Sequence, residues 1–357
     1  MEGRSFQGLD REMNKKNLMG IGGLLLGMAM VLHSSEVDFP KLAGPYLGQK
    51  PPGLTPELFA PGIISTGLDE ALCAFTPKND EIVFNLIYHK PHSAKVHSAL
   101  VRSRLRGGAW TPPEVMGLSG DGYAYLYPFI SYDGTSFYFQ SDMPTRRPEL
   151  KDKYNIWRCR RDGDGWGEPE PLPPPINGRG DVSGPSMSQA GEFFFTLMSG
   201  QPERDGIYRS QYRNAAFSEP ERLPESVNVK QGSFDGVVSP DGSYYIVNVY
   251  RKEDSLGETD LYVSFRDTQG VWAPLKNLGP TVNSKLNEGS ARISADGRYI
   301  FFTGYFGNTN IFGDHPAYDD ILNSRLRPQC GNSDIYWVSA EIIETLRPKE
   351  WKKMKGE

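Results

Sequence analysis

Acidic and amide side chains stand at the entrances to apolar runs at several well-separated points: Asp69 with Glu70, Asp181, Asp235, and Asn287 with Glu288. Carboxylates that converge on one opening can hold a cation through hard oxygen ligands. Two of them can instead serve as acid and base in glycoside cleavage, which needs carboxyl groups roughly 5 to 10 Å apart. A plainer use is also open. Acidic residues at strand entrances cap turns and accept backbone N–H bonds. No fixed spacing among these residues marks an acid–base pair.

Three of the five histidines, His89, His92 and His97, fall close together, and His315 lies far along the chain beside Asp314 and near Asp319. Metal binding by His89, His92 and His315 with one of those aspartates is conceivable if the fold brings the two segments together. The spacing H-x2-H-x4-H is not a recognised ligand pattern, and solvated loop histidines are the alternative. A thirty-residue stretch, "GYFGNTNIFGDHPAYDDILNSRLRPQCGNS" (304–333), carries Tyr305, Phe306, Phe312 and Tyr318. Those rings can stack on a sugar or a peptide, or can pack the stretch down on itself. G-x-S-x-G, P-loop and dinucleotide-glycine motifs are absent, so no cofactor is expected. "GRGD" (178–181) falls where Gly and Asp have structural uses, and is read as chance.

A repeat must position these residues. The phrase "SPDGSYYIVNVYR" (239–251) returns as "SADGRYIFFTGYF" (294–306) and "SYDGTSFYFQSDM" (131–143). Aligned on the turn, five copies place Asn79, Gly134, Gly191, Gly242 and Gly297 at one position, 51 to 57 residues apart. Asn replaces Gly there without difficulty because it tolerates positive φ. Each copy has a run ending in Ser or Thr before the turn, an aromatic strand after it, and a third strand such as "NIWRC" or "DIYWV". In the first four copies a fourth element follows, opened by Trp110, Trp166, Phe217 or Trp272. Asn177, Asn228 and Asn283 close that element in copies two to four. Four short strands every fifty residues or so is the signature of a propeller blade. The fifth copy lacks its fourth strand, and "TPELFAPGIIS" (55–65) is a strand without a blade. The expectation is therefore an all-β propeller of about five blades, closed into a ring by this early strand, which removes the exposed edge an open array would leave.

"SPDG" and "SADG" before aromatic strands, the third strands "DLYVS" and "DIYWVS", and "LGPTVNSKLNEGSARIS" between blades resemble TolB-like propeller repeats, the WD-like blades of exported bacterial proteins. The resemblance covers residues 46–346. It implies the fold but not an activity, since the family spans binding proteins and many of unknown role. Its rings have six blades, so six is the alternative count.

In such a blade the first strand lines the channel, and the turns between strands 1–2 and 3–4 share one face. The 2–3 loops and the crossings from blade to blade share the other. All the long insertions fall in 2–3 loops, and function is expected on loops held by a rigid scaffold. The polar entrance residues lie on this face too, at the channel mouth.

Composition agrees with short strands and turns: 39 Gly, 28 Pro and 12% aromatic residues in a chain of 357. A net charge of −5 with no basic stripe gives no footprint for nucleic acid. Residues 1–35 read as a targeting segment, with Lys15 and Lys16 before the apolar run Leu18 to Leu32, too short to span a bilayer comfortably. A linker over 36–54, the propeller over 55–346 and a basic tail over 347–357 complete the division. Cys73, Cys159 and Cys330 are odd in number and far apart, so no disulfide framework is expected. Cys73 and Cys159 sit in apolar patterns and read as core. The expected protein is an exported monomer, periplasmic or extracellular, without stable membrane insertion after signal removal. It would bind a protein partner or a cell-envelope glycan; a carbohydrate-active enzyme working through the mouth carboxylates is the alternative.

Overall fold

Aromatic and β-branched runs punctuated by Gly-containing turns fold into five antiparallel sheets in the computed structural model, which describes residues 39–88, 97–119, 122–305, 319 and 327–349. Blade 1 runs outward from its inner strand Asp69–Phe75 through Glu81–Tyr88 and His97–Arg106 to the two-residue pieces Ala109–Trp110 and Glu114–Val115. The inner strands of blades 2 to 5 are Tyr125–Ile130, Asp181–Met187, Ser233–Val238 and Glu288–Ile293. Blade 5 takes its outermost strand from the other end of the chain: Glu57–Leu58 pairs with Trp337 and Tyr336, and Phe59 N–H continues the ladder to Ile335 O at 2.8 Å. The ring is closed as the sequence predicts, and the blade count is five, not six.

The five turns that join the inner strands use positive φ, as their residues require. Gly134, Gly191, Gly242 and Gly297 lie between 71° and 78°, and Asn79 takes 53° in the same place. In three copies the turn is locked by its own sequence. Ser131, Ser239 and Ser294 donate through Oγ to Asp133, Asp241 and Asp296 at 2.6, 2.7 and 2.6 Å, the local side-chain bonding that makes Asp a turn residue.

Outer strands of two residues would hold poorly alone. Side chains extend them. Asn228 accepts from Ile207 N–H at 2.7 Å and donates to Ile207 O and Leu223 O at 3.1 and 2.8 Å. Asn177 and Asn283 make the same paired contact with Ile156 and Leu261. In blade 5 Ser65 does this for Ile335, at 3.2 and 3.1 Å.

Apolar burial is divided among the seams between blades, each with its own cluster. The closing seam, between blades 5 and 1, is the most aromatic: Tyr46, Phe59, Phe75, Phe301 and Trp337 interlock with ring centroids between 5.1 and 6.0 Å. Tilted and edge-on aromatic pairs add to their area burial, so the seam joined by the two ends of the ring carries dense packing. Cys73 and Cys159 are buried in seam clusters, as their sequence context predicts. After the last blade strand, the helix Glu341–Leu346 buries Ile342 and Ile343 against the seam of blades 4 and 5.

Candidate functional site: the channel and its loop-face mouth

Every inner strand has the same irregularity. Its pairing with the second strand slips between Ala71 and Cys73, Leu126 and Phe129, Ser183 and Ser186, Phe234 and Val237, and Gly289 and Arg292. At each slip one residue is left-handed: Leu72 (46°), Tyr127 (55°), Gly184 (58°), Asp235 (48°) and Ser290 (57°). All five stand seven residues before the turn position. Non-glycine residues pay strain in this region, of order 1 kcal/mol or more each, and bulges re-aim side chains and backbone alike.

The bulges are held by a belt of side chains. Leu72 N–H donates to Thr303 Oγ1 at 3.1 Å, Tyr127 N–H to Asn85 Oδ1 at 3.1 Å, Asp235 N–H to Thr196 Oγ1 at 2.8 Å, and Ser290 N–H to Asn248 Oδ1 at 2.9 Å. In each case the acceptor lies on the second strand of the preceding blade, and Thr303 to Leu72 closes the circle. Gly184 needs to be glycine, since a Cβ would lie 2.9 Å from Asp235 Cα.

The polar residues picked from the sequence fall into three groups. Asp69, Asp181 and Asn287 share one register position, at the entrance to blades 1, 3 and 5. Each accepts a backbone N–H from the start of the third strand of the blade before it: Ser333 at 3.1 Å, Tyr154 at 2.9 Å and Thr259 at 3.1 Å. They tie blade to blade across three different seams. Glu70 and Glu288 share the next position and turn back into their own crossings. Glu288 accepts from Ser284 N–H and Oγ at 2.8 and 2.5 Å, and Glu70 accepts in the same way from Thr66. Burial pushes the Glu70 carboxyl up to about 7 and raises that of Glu288. The sixth residue, Asp235, lies inside the channel.

The remaining candidates divide by where they lie. Tyr305 is 39% exposed at the mouth. Phe306, Phe312, Tyr318, His89, His92, His315 and Asp314 lie outside the described residues. His97 is buried and stacks on Tyr88 at 5.8 Å. Among the described residues no group of three His, Cys, Asp or Glu side chains is placed to hold a metal ion.

Three bonds cross the channel and fill its core. Tyr127 Oη of blade 2 donates to Asp235 Oδ2 of blade 4 at 2.7 Å. Tyr132 Oη, also of blade 2, donates to Val238 O of blade 4 at 3.0 Å. Arg292 of blade 5 reaches across to Pro128 O of blade 2 through Nε at 2.9 Å. Ser183 completes the shell of Asp235 by donating to Oδ1 at 2.5 Å. Burial raises the Asp235 carboxyl, and burial together with the Asp235 charge raises the Tyr127 phenol well above its usual value. Sequence reasoning finds Asp235 and misses Tyr127, Ser183 and Arg292. The signal for Tyr127 is its position, seven residues before the turn glycine, the same as that of Asp235.

Above this core, on the loop face, opens a cavity of about 350 Å³ lined by Leu72, Leu126, Tyr127, Phe234, Asn248 and Tyr305 among others. Three left-handed residues, Leu72, Tyr127 and Ser290, border it, so the bulges shape its floor. Of the sequence candidates Asn287, Glu288 and Tyr305 line the cavity, whereas Asp69, Glu70, Asp181 and Asp235 do not.

No family model and no curated protein matches the chain. The solved structures it is similar to include TolB from Acinetobacter baumannii, at 17% identity and TM-score 0.43, over 76% of this chain and 57% of that one. A protein of unknown function from Dyadobacter fermentans is 14% identical with TM-score 0.42, over 71% and 80% of the two chains. The catalytic domain of a GH62 alpha-L-arabinofuranosidase from Coprinopsis cinerea is 12% identical with TM-score 0.46, over 81% and 98%. The chain thus spans little more than half the length of that TolB chain, and its own strand pairing defines it as a five-bladed β-propeller.

Proposed function

We propose that the chain is a non-catalytic binding module, exported to the periplasm or the cell exterior, whose protein or carbohydrate ligand occupies the mouth cavity on the loop face. The observation that carries this reading is the one-sided placement of apolar surface. Of nine exposed large hydrophobic residues among the described residues, six lie on the loop face: Leu68, Met198, Tyr250, Leu256, Leu286 and Tyr305. Exposed apolar residues scattered singly need no explanation, but their concentration on the face that opens into a cavity, which Tyr305 lines, marks interaction sites. Export rests on the sequence itself, where Lys15 and Lys16 precede the apolar run Leu18 to Leu32. The carboxylates near the mouth support binding over catalysis because Asp69 and Asp181 accept backbone N–H groups in two separate seams, and Glu70 and Glu288 accept from Thr66 and Ser284 in their own crossings.

The test is binding of the full chain to glycan and peptide arrays, repeated with Tyr305→Ser and Leu126→Ala. A ligand whose affinity falls at least tenfold in both variants, with unchanged melting, supports the reading. Equal binding by all three proteins would move the ligand off the mouth.

One observation favours a second reading, an enzyme acting on carbohydrate. Asp235, Tyr127 and Arg292 form a buried titratable cluster under the cavity, and perturbed groups gather at functional sites. Release of reducing ends from a polysaccharide panel, abolished in Asp235→Asn, would establish that activity and displace the binding module.

A further inference from the structure

Eight residues before the turn position, blades 2 and 4 carry Leu126 and Phe234, whereas blades 1 and 5 carry Ala71 and Gly289. All four line the mouth cavity: the large pair wall it and the small pair leave it room. Gly289 also uncovers a hydrogen-bond donor. Asn248 is 2% exposed and lines the same cavity. Its Oδ1 accepts Ser290 N–H at 2.9 Å, which fixes which end of the amide is oxygen and which is Nδ2. A Cβ added at Gly289 would stand 3.4 Å from that Nδ2, so the nitrogen faces the space that the glycine keeps clear. It donates to no group among the described residues. The corresponding amide of blade 1 is used at both ends: Asn85 accepts from Tyr127 N–H and donates to Tyr125 O. A buried donor left over in this way is costly unless something in the cavity supplies an acceptor.

Nearer the rim Asn287 repeats the arrangement, with Oδ1 held by Thr259 N–H at 3.1 Å. Both amides turn their acceptors to the protein and leave donors for a ligand, which must bring an acceptor oxygen. A charged acceptor is opposed. No lysine or arginine lines the cavity, and its charged side chains are Glu258, paired with Arg251, and Glu288. Much of the remaining lining is carbon, from Ala71, Leu72, Leu126, Phe234 and the ring of Tyr127, whose hydroxyl is committed to Asp235. An uncharged carbonyl flanked by a methyl, as in an acetamido group, matches this donor and these walls. The bonds of Tyr127 and Arg292 cross the channel beneath, so a ligand enters and leaves by the mouth. The end of a peptide would bring a carboxylate to face Glu288 or an ammonium to face amide donors. The terminal ring of a glycan brings neither charge, and a cavity of about 350 Å³ has room for it.

We propose that the mouth cavity recognises the terminal N-acetylated sugar of a glycan, its acetamido carbonyl accepting from Asn248 Nδ2 over Gly289. This rests on the reading of the mouth as a binding site and adds the class of ligand. Asn287 serves a ring hydroxyl nearer the rim, where Tyr305 offers an aromatic face.

The test is calorimetric titration of the full chain with N,N′-diacetylchitobiose and with cellobiose, which has hydroxyls in place of the acetamido groups. The acetylated sugar should bind at least about tenfold more tightly. Two variants should erase that preference without changing Tm. Asn248→Asp keeps an acceptor for Ser290 N–H and has no donor. Gly289→Ala keeps the amide and covers it with a methyl, at a backbone φ that alanine accepts. Equal affinity for the two sugars, or binding of neither, overturns the proposal. The broader reading would still stand if other ligands bound and were lost in Tyr305→Ser and Leu126→Ala. A preference that survives Asn248→Asp and Gly289→Ala also overturns it, since the acetyl group would then be read elsewhere. An N-acetylated peptide bound more tightly than the disaccharide would make the ligand a protein and overturn the sugar. If one variant does not fold, the other and the sugar pair on the unmodified chain still decide.

Discussion

Tyr127 and Asp235 occupy the same register position in blades 2 and 4, both left-handed, and the phenol of one bonds the carboxyl of the other at 2.7 Å. Blade 3 lies between them in the chain. The bond therefore joins blades that share no seam, and it resists sliding of one side of the ring against the other in a way that seam packing cannot.

Tyr127→Phe keeps the ring and removes the hydroxyl, leaving Asp235 Oδ2 buried without its donor. The expected cost is about 1 to 3 kcal/mol, read as a lower denaturation midpoint in urea at unchanged slope. Asp235→Asn in the same background should add little further loss, since the two side chains serve one contact. Full additivity of the two changes would show that they act separately.

Glu70 makes stability depend on pH in a stated direction. Its folded-state carboxyl sits at about 7 against an ordinary 4.5, so the folded protein keeps a proton that the unfolded chain gives up. The contribution is complete below about pH 4.5 and is lost as pH climbs through 7. Its size is about 3 kcal/mol at most. Glu70→Gln should flatten the melting profile between these limits. Asp334, held at about 6 chiefly by burial, leaves a smaller slope of the same sign in that variant. A profile unchanged by Glu70→Gln would mean that the carboxyl titrates normally.

Asn228 substitutes for backbone at the edge of blade 3. Asn228→Ala strands the Ile207 N–H and the Leu223 O, while Ile207 O keeps its bond from Leu223 N–H, an expected loss of about 1 to 3 kcal/mol. Asn228→Asp keeps the acceptor for Ile207 N–H and loses both donors, so it should not rescue. Hydrogen exchange at Ile207 should quicken in Asn228→Ala, where that amide loses its acceptor. Protection of that amide in Asn228→Ala would show that the outer strand holds without the clamp.

The architecture is legible in the sequence because each blade repeats a turn whose chemistry is local. Ser131, Asp133 and Gly134 make one turn by themselves, and Asn79 reports the same φ as the glycines it replaces. Ring closure is legible too, as one strand missing at copy five and one left over at 55–65. The belt of bulges is not, because Leu72, Tyr127, Gly184, Asp235 and Ser290 have no side-chain property in common. What repeats there is a backbone N–H, and its acceptor varies among Asn and Thr. The mouth residues are half legible. Their polarity is plain in Asp69, Asp181 and Asn287, but the partner of each is an amide of the preceding blade, which composition cannot reveal. Arg292 escapes because its position is apolar or small in the other four blades, so alignment of the copies marks it only as an exception.

The pairing of Glu57–Leu58 with Trp337 and Tyr336 has a consequence in time. Residues made early in synthesis have no sheet to join until those made near the end have emerged. During that interval the edge of Glu57–Leu58 is unpaired, and Tyr46, Phe59 and Phe75 lack their partners Phe301 and Trp337. Contacts across so long a stretch of chain form slowly, and a waiting edge with exposed aromatics is where chains of this kind stick to one another. Blades 1 to 4, whose strands are neighbours in sequence, have no such delay.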